Sequence, residues 1–246
     1  MLLLLPPSET KRDGGADARR LDLAELGFPA LTPQRRATLA ALARLSRNVG
    51  DSMTALGLGP TQRAEIDRNR QVRSSPVMPA IDRYTGVLYG GLDAASLTTA
   101  ERDFAGRHVA IHSALFGLLR SDDPIPAYRL SHDSRLPGLS LRSHWRSAVT
   151  AELAAQPGLV IDLRSESYAS LGPAPDGAWY VRVVAEDAAG RKVALSHFNK
   201  KAKGEFVKAV LSTGIDHDGV DSLIDWARSA GIRLEKQGTG ELDLVQ

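Results

Sequence analysis

The sequence contains no cysteine. Disulfides, thiolate metal sites and a cysteine nucleophile are therefore excluded. It has no run approaching the roughly 18 apolar residues that a membrane-crossing helix needs. The opening Met1 to Leu5 is apolar, but it lacks a basic leader, stops at Pro6-Pro7 and runs into charge rather than a small-residue cleavage site. It is expected to be a buried strand, and the expected location is the cytoplasm, with no membrane contact. Internal repeats and long low-complexity segments are also missing. So is a large net charge, because 31 Lys and Arg oppose 29 Asp and Glu. The basic residues are nevertheless grouped, Lys200, Lys201 and Lys203 in one stretch and Arg68, Arg70 and Arg73 in another. Such patches steer anions, including phosphates and nucleic acid, or simply form a solvated face.

What remains is an ordinary globular composition, 43% hydrophobic and 24% charged over 246 residues, enough to bury a sizeable core. The order of elements predicts the class. After the Leu2 to Leu5 strand, Thr32-Pro33 starts a helix that runs to about Leu56, and Gly57-Leu58-Gly59-Pro60 turns the chain into a second helix ending near Arg70. A helical hairpin is thus expected over about 33–70. Tyr84 to Leu92 reads as a strand or tight bend, Thr98 to Ala105 as a helix, Val109 to His112 as a strand and Ser113 to Arg120 as a helix. Tyr128 to Leu130 reads as a strand, Leu139 to Ala155 as a helix and Leu159 to Leu163 as a buried strand. Trp179 to Ala185 and Lys192 to Phe198 read as a hairpin, Gly204 to Leu211 and Val220 to Ala230 as helices, and Glu241 to Val245 as a last strand. This is neither regular βαβ alternation nor a run of hairpins. It predicts an α+β protein, one compact mixed-sheet domain over 1–246 with helices around it.

Four polar stretches adjoin apolar strands, where loops can project side chains into a shared cleft. They are Pro7-Ser8-Glu9-Thr10-Lys11, Leu118-Leu119-Arg120 continuing to Tyr128-Arg129-Leu130, Asp162-Leu163-Arg164-Ser165-Glu166-Ser167-Tyr168, and Ser196-His197-Phe198-Asn199-Lys200-Lys201-Ala202-Lys203-Gly204. With Tyr84-Thr85-Gly86, they resemble the motifs of the YaaA family of bacterial peroxide-stress proteins, in order from residue 2 to residue 204. The resemblance implies one compact α+β unit, a basic cleft, binding of double-stranded DNA and protection against peroxide by limiting free iron. The chain departs from the family pattern at Glu9, where the family has lysine, at Asp162, where it has asparagine, and at Arg164, where it has alanine.

Several residues have a chemical reading of their own. Lys200, Lys201 and Lys203 before a helix suit an anion, and Asn199 suits a base edge or a turn cap. Arg120, Tyr128 and Arg129 could clamp a phosphate, or Arg129 could pair with Asp122 or Asp123. Asp162, Arg164, Ser165, Glu166 and Tyr168 follow a buried strand, where ligands gather, or Asp162 and Arg164 pair with each other or with neighbours and only hold the loop. Ser8, Thr10, Lys11, Tyr84 and Thr85 complete the expected ligand-binding set. Glu9, Asp162 and His197 are the acid/base groups if the protein is an enzyme. No metal site and no cofactor are expected, since His108 and His112 have helical ligand spacing but a strand pattern between them. Gly57-Leu58-Gly59 between helices is a weak match to a hairpin that binds nucleic-acid backbones.

Two functions from different classes follow. One is a cytoplasmic stress protein holding DNA or another anionic ligand in a basic cleft. The other is an enzyme acting on a small anionic or nucleobase-like substrate in the same cleft. Cleft shape separates them: a long open groove favours a polymer, whereas an enclosed pocket of a few hundred Å³ with converging polar groups favours a small ligand. Both require Lys11, Arg129, Ser165 and Lys201 to meet at one place.

Overall fold

The structure is a computed structural model that describes residues 1–16, 18–186, 192–194 and 199–246. Among these residues, β1 (Leu2–Leu5) is followed by α1 (Thr32–Leu45), α2 (Val49–Ala55) and α3 (Ala64–Arg70). A short strand β2 (Met78–Pro79) leads into α4 (Ala80–Arg83), α5 (Val87–Leu92) and α6 (Thr99–His108). Next come β3 (Val109–Ser113), β4 (Gly117–Arg120), β5 (Pro124–Ile125), α7 (Leu141–Ala154), β6 (Val160–Asp162) and the single turn α8 (Glu166–Ala169). β7 (Trp179–Glu186) and β8 (Lys192–Ala194) precede α9 (Asn199–Thr213), α10 (Val220–Ser229), β9 (Arg233–Gln237) and β10 (Glu241–Val245).

The leucines of β1 are buried, and β1 sits inside the main sheet, whose order is β4-β3-β1-β6-β7-β10-β9 with β8 added to β7. A strand covered on both faces loses the in/out alternation and reads as a continuous apolar run, as this one does. β3, β1, β6, β7 and β10 run parallel, while β4, β8 and β9 are antiparallel additions. The expected mixed sheet with surrounding helices is the architecture found. The chain passes from β1 to β3 on one side and later to β6 on the other, so the strand order reverses at β1. The carboxyl ends of the strands flanking such a switch point leave a crevice.

Four local expectations change, each for a physical reason. The helix expected to reach Leu56 breaks after Leu45, because Asn48 turns extended and its side chain accepts a hydrogen bond from Asp51 N, capping a second helix. Ser113 to Arg120 is a strand hairpin rather than a helix. Ser113 Oγ accepts from the amides of Leu115 and Phe116, which folds the chain back onto β3. Tyr128 to Leu130 is not a strand, because the Asn69 side chain pairs with both backbone groups of Arg129 at 2.7 and 2.8 Å and takes the place of a neighbouring strand. Tyr84 to Leu92 is a turn and a short helix, α5, and its glycines serve packing.

That packing sets one wall of the crevice. A Cβ on Gly204 of α9 would lie 2.0 Å from the Leu88 carbonyl oxygen, and one on Gly91 of α5 would lie 2.6 Å from the Lys201 carbonyl oxygen. The two helices therefore touch backbone to backbone, as only glycine allows. α9 also begins five residues earlier than its sequence pattern suggests, so Lys200, Lys201 and Lys203 lie within its first turns. Gly90, by contrast, has open space around it. Gly204→Ala is expected to lower Tm by several degrees, from an overpacking cost of roughly 1–3 kcal/mol. Gly90→Ala should leave Tm unchanged or raise it slightly, by about 0.5–1 kcal/mol of helix propensity. Thermal unfolding of the two variants followed by circular dichroism checks both signs.

Candidate functional site

A cavity of about 760 Å³ opens at the carboxyl ends of β1 and β6. Its walls come from the loop after β1, the Thr85-Gly86 turn with α5, the loop after β6 with α8, and the start of α9. Gly86 has φ +100, and a Cβ there would lie 2.9 Å from Ser8 Oγ, so glycine lets two of these segments meet.

Of the residues expected at the site, Ser8, Glu9, Thr10, Thr85, Ser165, Tyr168, Asn199, Lys200 and Lys203 line the cavity, with Glu166 beside them. Thr85 Oγ1 donates to Thr10 Oγ1 at 2.9 Å, and Ser8 Oγ lies 3.2 Å from the same oxygen. Ser165 Oγ caps α8 by accepting from Tyr168 N. The Lys203 amine is buried; it donates to the carbonyls of Leu163 and Arg164 at 3.1 and 3.5 Å and lies 5.3 Å from the Tyr180 ring centre. Burial pushes its pKa down to about 8, against the opposing pull of Asp162.

Other expected residues stand behind the wall. Lys11 is buried beneath the loop it belongs to, donating to the carbonyls of Ser8 and Glu9 at 2.9 and 3.3 Å, with the Tyr128 ring 4.2 Å away. Burial, opposed by Glu9, brings its pKa down to about 7. Tyr84 and Tyr128 are buried and joined through their hydroxyls at 2.7 Å, and Ser113 extends the chain at the same distance. Removal from water raises both phenols, Tyr84 to about 12. Arg129 meets neither Asp122 nor Asp123; its Nη1 contacts Glu9 Oε2 at 3.0 Å.

Asp162 and Arg164 form a buried pair. Arg164 Nε and Nη2 donate to the two carboxylate oxygens at 2.9 and 2.7 Å, and Nη1 donates to the Gly172 carbonyl and to His112 Nδ1, each at 2.8 Å. Asp162 therefore acts as a structural counter-ion rather than as the expected acid/base group, and Arg164 has no nitrogen turned to a ligand. Burial, reinforced by the Arg164 charge, drives the His112 pKa well below normal, so His112 is a neutral acceptor. The expected phosphate clamp of Arg120 with Tyr128 and Arg129 does not assemble. Arg120 pairs across from Ala110, and its side chain reaches Arg107 O and Gln156 Oε1, near the amino ends of β3 and β6 and away from the cavity. Lys201 bonds to Glu205 on the outside of α9, so of the four residues required to meet, Lys11, Arg129, Ser165 and Lys201, only Ser165 lines the cavity. His197, the third acid/base candidate, lies outside the described residues, as do Ser196 and Phe198.

Sequence reasoning missed His132, Tyr89 and Tyr180, all in the cavity wall. Tyr89 falls within the Tyr84 to Leu92 stretch, but its hydroxyl bond to the Pro6 carbonyl at 2.8 Å needs the fold to be seen. Tyr180 reaches the site through the register Asp162↔Tyr180, and His132 packs edge-on to Tyr168 at 5.3 Å. No local pattern marks either residue.

The Asp162–Arg164 pair yields a test. Asp162→Asn keeps the shape but leaves a buried guanidinium without its counter-charge, at a cost of roughly 3–5 kcal/mol. We expect Tm to fall by about 10 °C or more. An unchanged Tm would mean that the pair does not hold the loop.

The chain is similar throughout its length to known bacterial proteins. The family model described as Peroxide stress protein YaaA matches residues 1–237. A UPF0246 protein of Corynebacterium efficiens is 42% identical over 240 residues, covering 96% of this chain and 95% of the relative. One from Streptomyces coelicolor is 40% identical over 247 residues, covering 96% and 93%. One from Ruegeria pomeroyi is 33% identical, covering 79% and 82%. The motifs, the sheet they follow and these relatives agree, and the chain belongs to the YaaA family of peroxide stress proteins.

Proposed function

We propose that the protein is a cytoplasmic stress-response protein that binds a small anionic ligand in the cavity between β1, β6 and α9. The observation that carries this reading is the convergence of polar groups from four chain-distant segments on one half-open cavity of about 760 Å³. Ligand sites typically measure about 300–1,000 Å³ and carry a few converging polar groups. Family membership supports the association with peroxide stress. The wall is mixed in charge, with Lys200 and Lys203 among Glu9 and Glu166, so attraction for an anion is local to the lysine amines. Lys203 has the character of a binding cation: its amine has three N–H donors, of which two go to carbonyls. If turnover occurs, Glu9 is the acid/base group in the wall.

Duplex DNA is the second reading, favoured by two exposed lysines in the first turn of α9, Lys200 in the cavity wall and Lys201 on the outer side. Phosphate contacts made by those two lysines would give an affinity that falls steeply with salt. A Lys200→Ala/Lys201→Ala double variant should then lower the salt slope by about two units. Duplex binding unchanged in that variant would dismiss the DNA reading.

Native mass spectrometry of the purified protein is expected to reveal a retained small molecule that is lost on denaturation. An anion bound at Lys203 should also bind less tightly as pH rises through about 8, because the amine is charged below that value and neutral above it. Isothermal titration with inorganic phosphate between pH 6.5 and 9.5 reads this. Lys203→Met should remove both the binding and its pH dependence; a phosphate affinity flat across that range in the wild-type protein would show that the amine takes no part.

A further inference from the structure

Resting on the small-anion reading of the cavity, we infer that Arg129 is a second anion-binding residue beside Lys203, and that the protein's own Glu9 carboxylate occupies it as a displaceable plug. Glu9 lines the cavity, and its Oε2 lies 3.0 Å from Arg129 Nη1. Arg129 itself is not part of the wall, so the Glu9 carboxylate is what joins the guanidinium to that space. The rest of the fold makes little use of this guanidinium. Such a group offers five N–H donors in a fork that matches the oxygens of a phosphate or carboxylate. Among the described residues Glu9 is its only ion partner, and its buried Nε has no hydrogen-bond partner. The buried Arg83, by contrast, donates to four carbonyls. Asn69 holds the Arg129 backbone through both its N–H and its carbonyl, so the place of the residue in the chain does not rest on the Glu9 contact.

Glu9 is suited to leaving. Its side chain is 43% exposed, and a half-exposed ion pair contributes little, because water screens it and two side chains lose rotamer freedom to make it. Its main chain stays in place when the side chain turns away, since Lys11 donates to the carbonyls of Ser8 and Glu9 from below. Lys11 is also close enough for the charges of both Glu9 and Arg129 to act on it. Rotation of Glu9 into solvent therefore opens Arg129 to the cavity with a second cation behind the loop. The other charges around them are engaged. Arg68 is taken by Asp13 and Glu65 at 2.7 and 2.8 Å, and Asp133, on which Arg129 also acts, accepts from the Ser131 hydroxyl. An anion that brings two oxygens to the fork makes a pair of charge-assisted hydrogen bonds, which is the stronger arrangement. Glu9 thus sets a threshold that a ligand has to exceed before the second point is filled.

The test is the stoichiometry of inorganic phosphate, read by isothermal titration into the full chain. The wild-type protein is expected to take up one phosphate, at Lys203. Glu9→Gln, a nearly isosteric change at a half-exposed position, should admit a second. That second phosphate should persist in Glu9→Gln/Lys203→Met and disappear in Glu9→Gln/Arg129→Met. In Glu9→Gln/Arg129→Lys, which keeps the charge but loses the fork and so guards against a folding defect in the methionine variant, it should bind roughly three- to tenfold more weakly. A second phosphate that binds equally well after both Arg129 changes would mean that Glu9 only repels anions, and it overturns the inference. A single phosphate in Glu9→Gln, lost with Lys203→Met, also overturns it while leaving the small-anion reading intact. Failure of phosphate to bind the wild-type protein and every variant overturns both.

Discussion

The loop that leaves β6 is held by a guanidinium that has left water entirely. Arg164 spends its nitrogens on both Asp162 oxygens, on the Gly172 carbonyl and on His112. A buried charge of this kind persists only where its partners are complete. That requirement makes the loop rigid: the carbonyls of Leu163 and Arg164 are fixed, and Lys203 reaches across from α9 to donate to them. Ser165 then caps α8 and turns Tyr168 inward. The floor of the cavity is therefore the outer layer of a satisfied ion pair.

The opposite wall depends on close packing without side chains. Gly91 and Gly204 bring α5 and α9 together at backbone distance, which holds the first turns of α9, with its lysines, beside the Thr85-Gly86 turn. Lys11 performs the corresponding task for the loop after β1, since its amine gathers the carbonyls of Ser8 and Glu9 from below. Three segments far apart in sequence are thus fixed by different means, one by charge, one by the absence of side chains and one by a buried amine. The cavity they frame carries the carboxylates of Glu9 and Glu166 together with Lys200 and Lys203. That is a wall of mixed charge rather than a uniformly basic cleft.

Two further buried arginines show the same economy of polar groups. Arg35 donates to the carbonyls of Gly27, Phe116 and Leu118, so a side chain from α1 satisfies the open edge of β4. Arg83 gathers the carbonyls of Arg12, Gly14, Pro76 and Ile125, and so holds the chain leaving the site loop against α4. Both replace ordinary strand or helix partners where the backbone is irregular.

The amino-acid sequence alone determined the elements whose residues need only local physics. The leucine run of β1, the capped helix beginning at Thr98, the buried strand at Val160 and the pairing of β7 with β8 follow from apolar patterning and turn chemistry. So does the gathering of the motifs at strand ends, where Ser8, Glu9, Thr85, Ser165 and Lys203 are found. Tertiary structure alone decided what those residues do. Asp162 and Arg164 look identical in sequence whether they face a ligand or each other, and only burial made the pair a structural tie. Arg120 carries the same charge at either end of the sheet, and the antiparallel register with β3 sent it to the end away from the cavity. Tyr180 entered the wall through its pairing with Asp162. Side-chain type sets which interactions are available, but desolvation and register, both properties of the assembled sheet, select which of them are made.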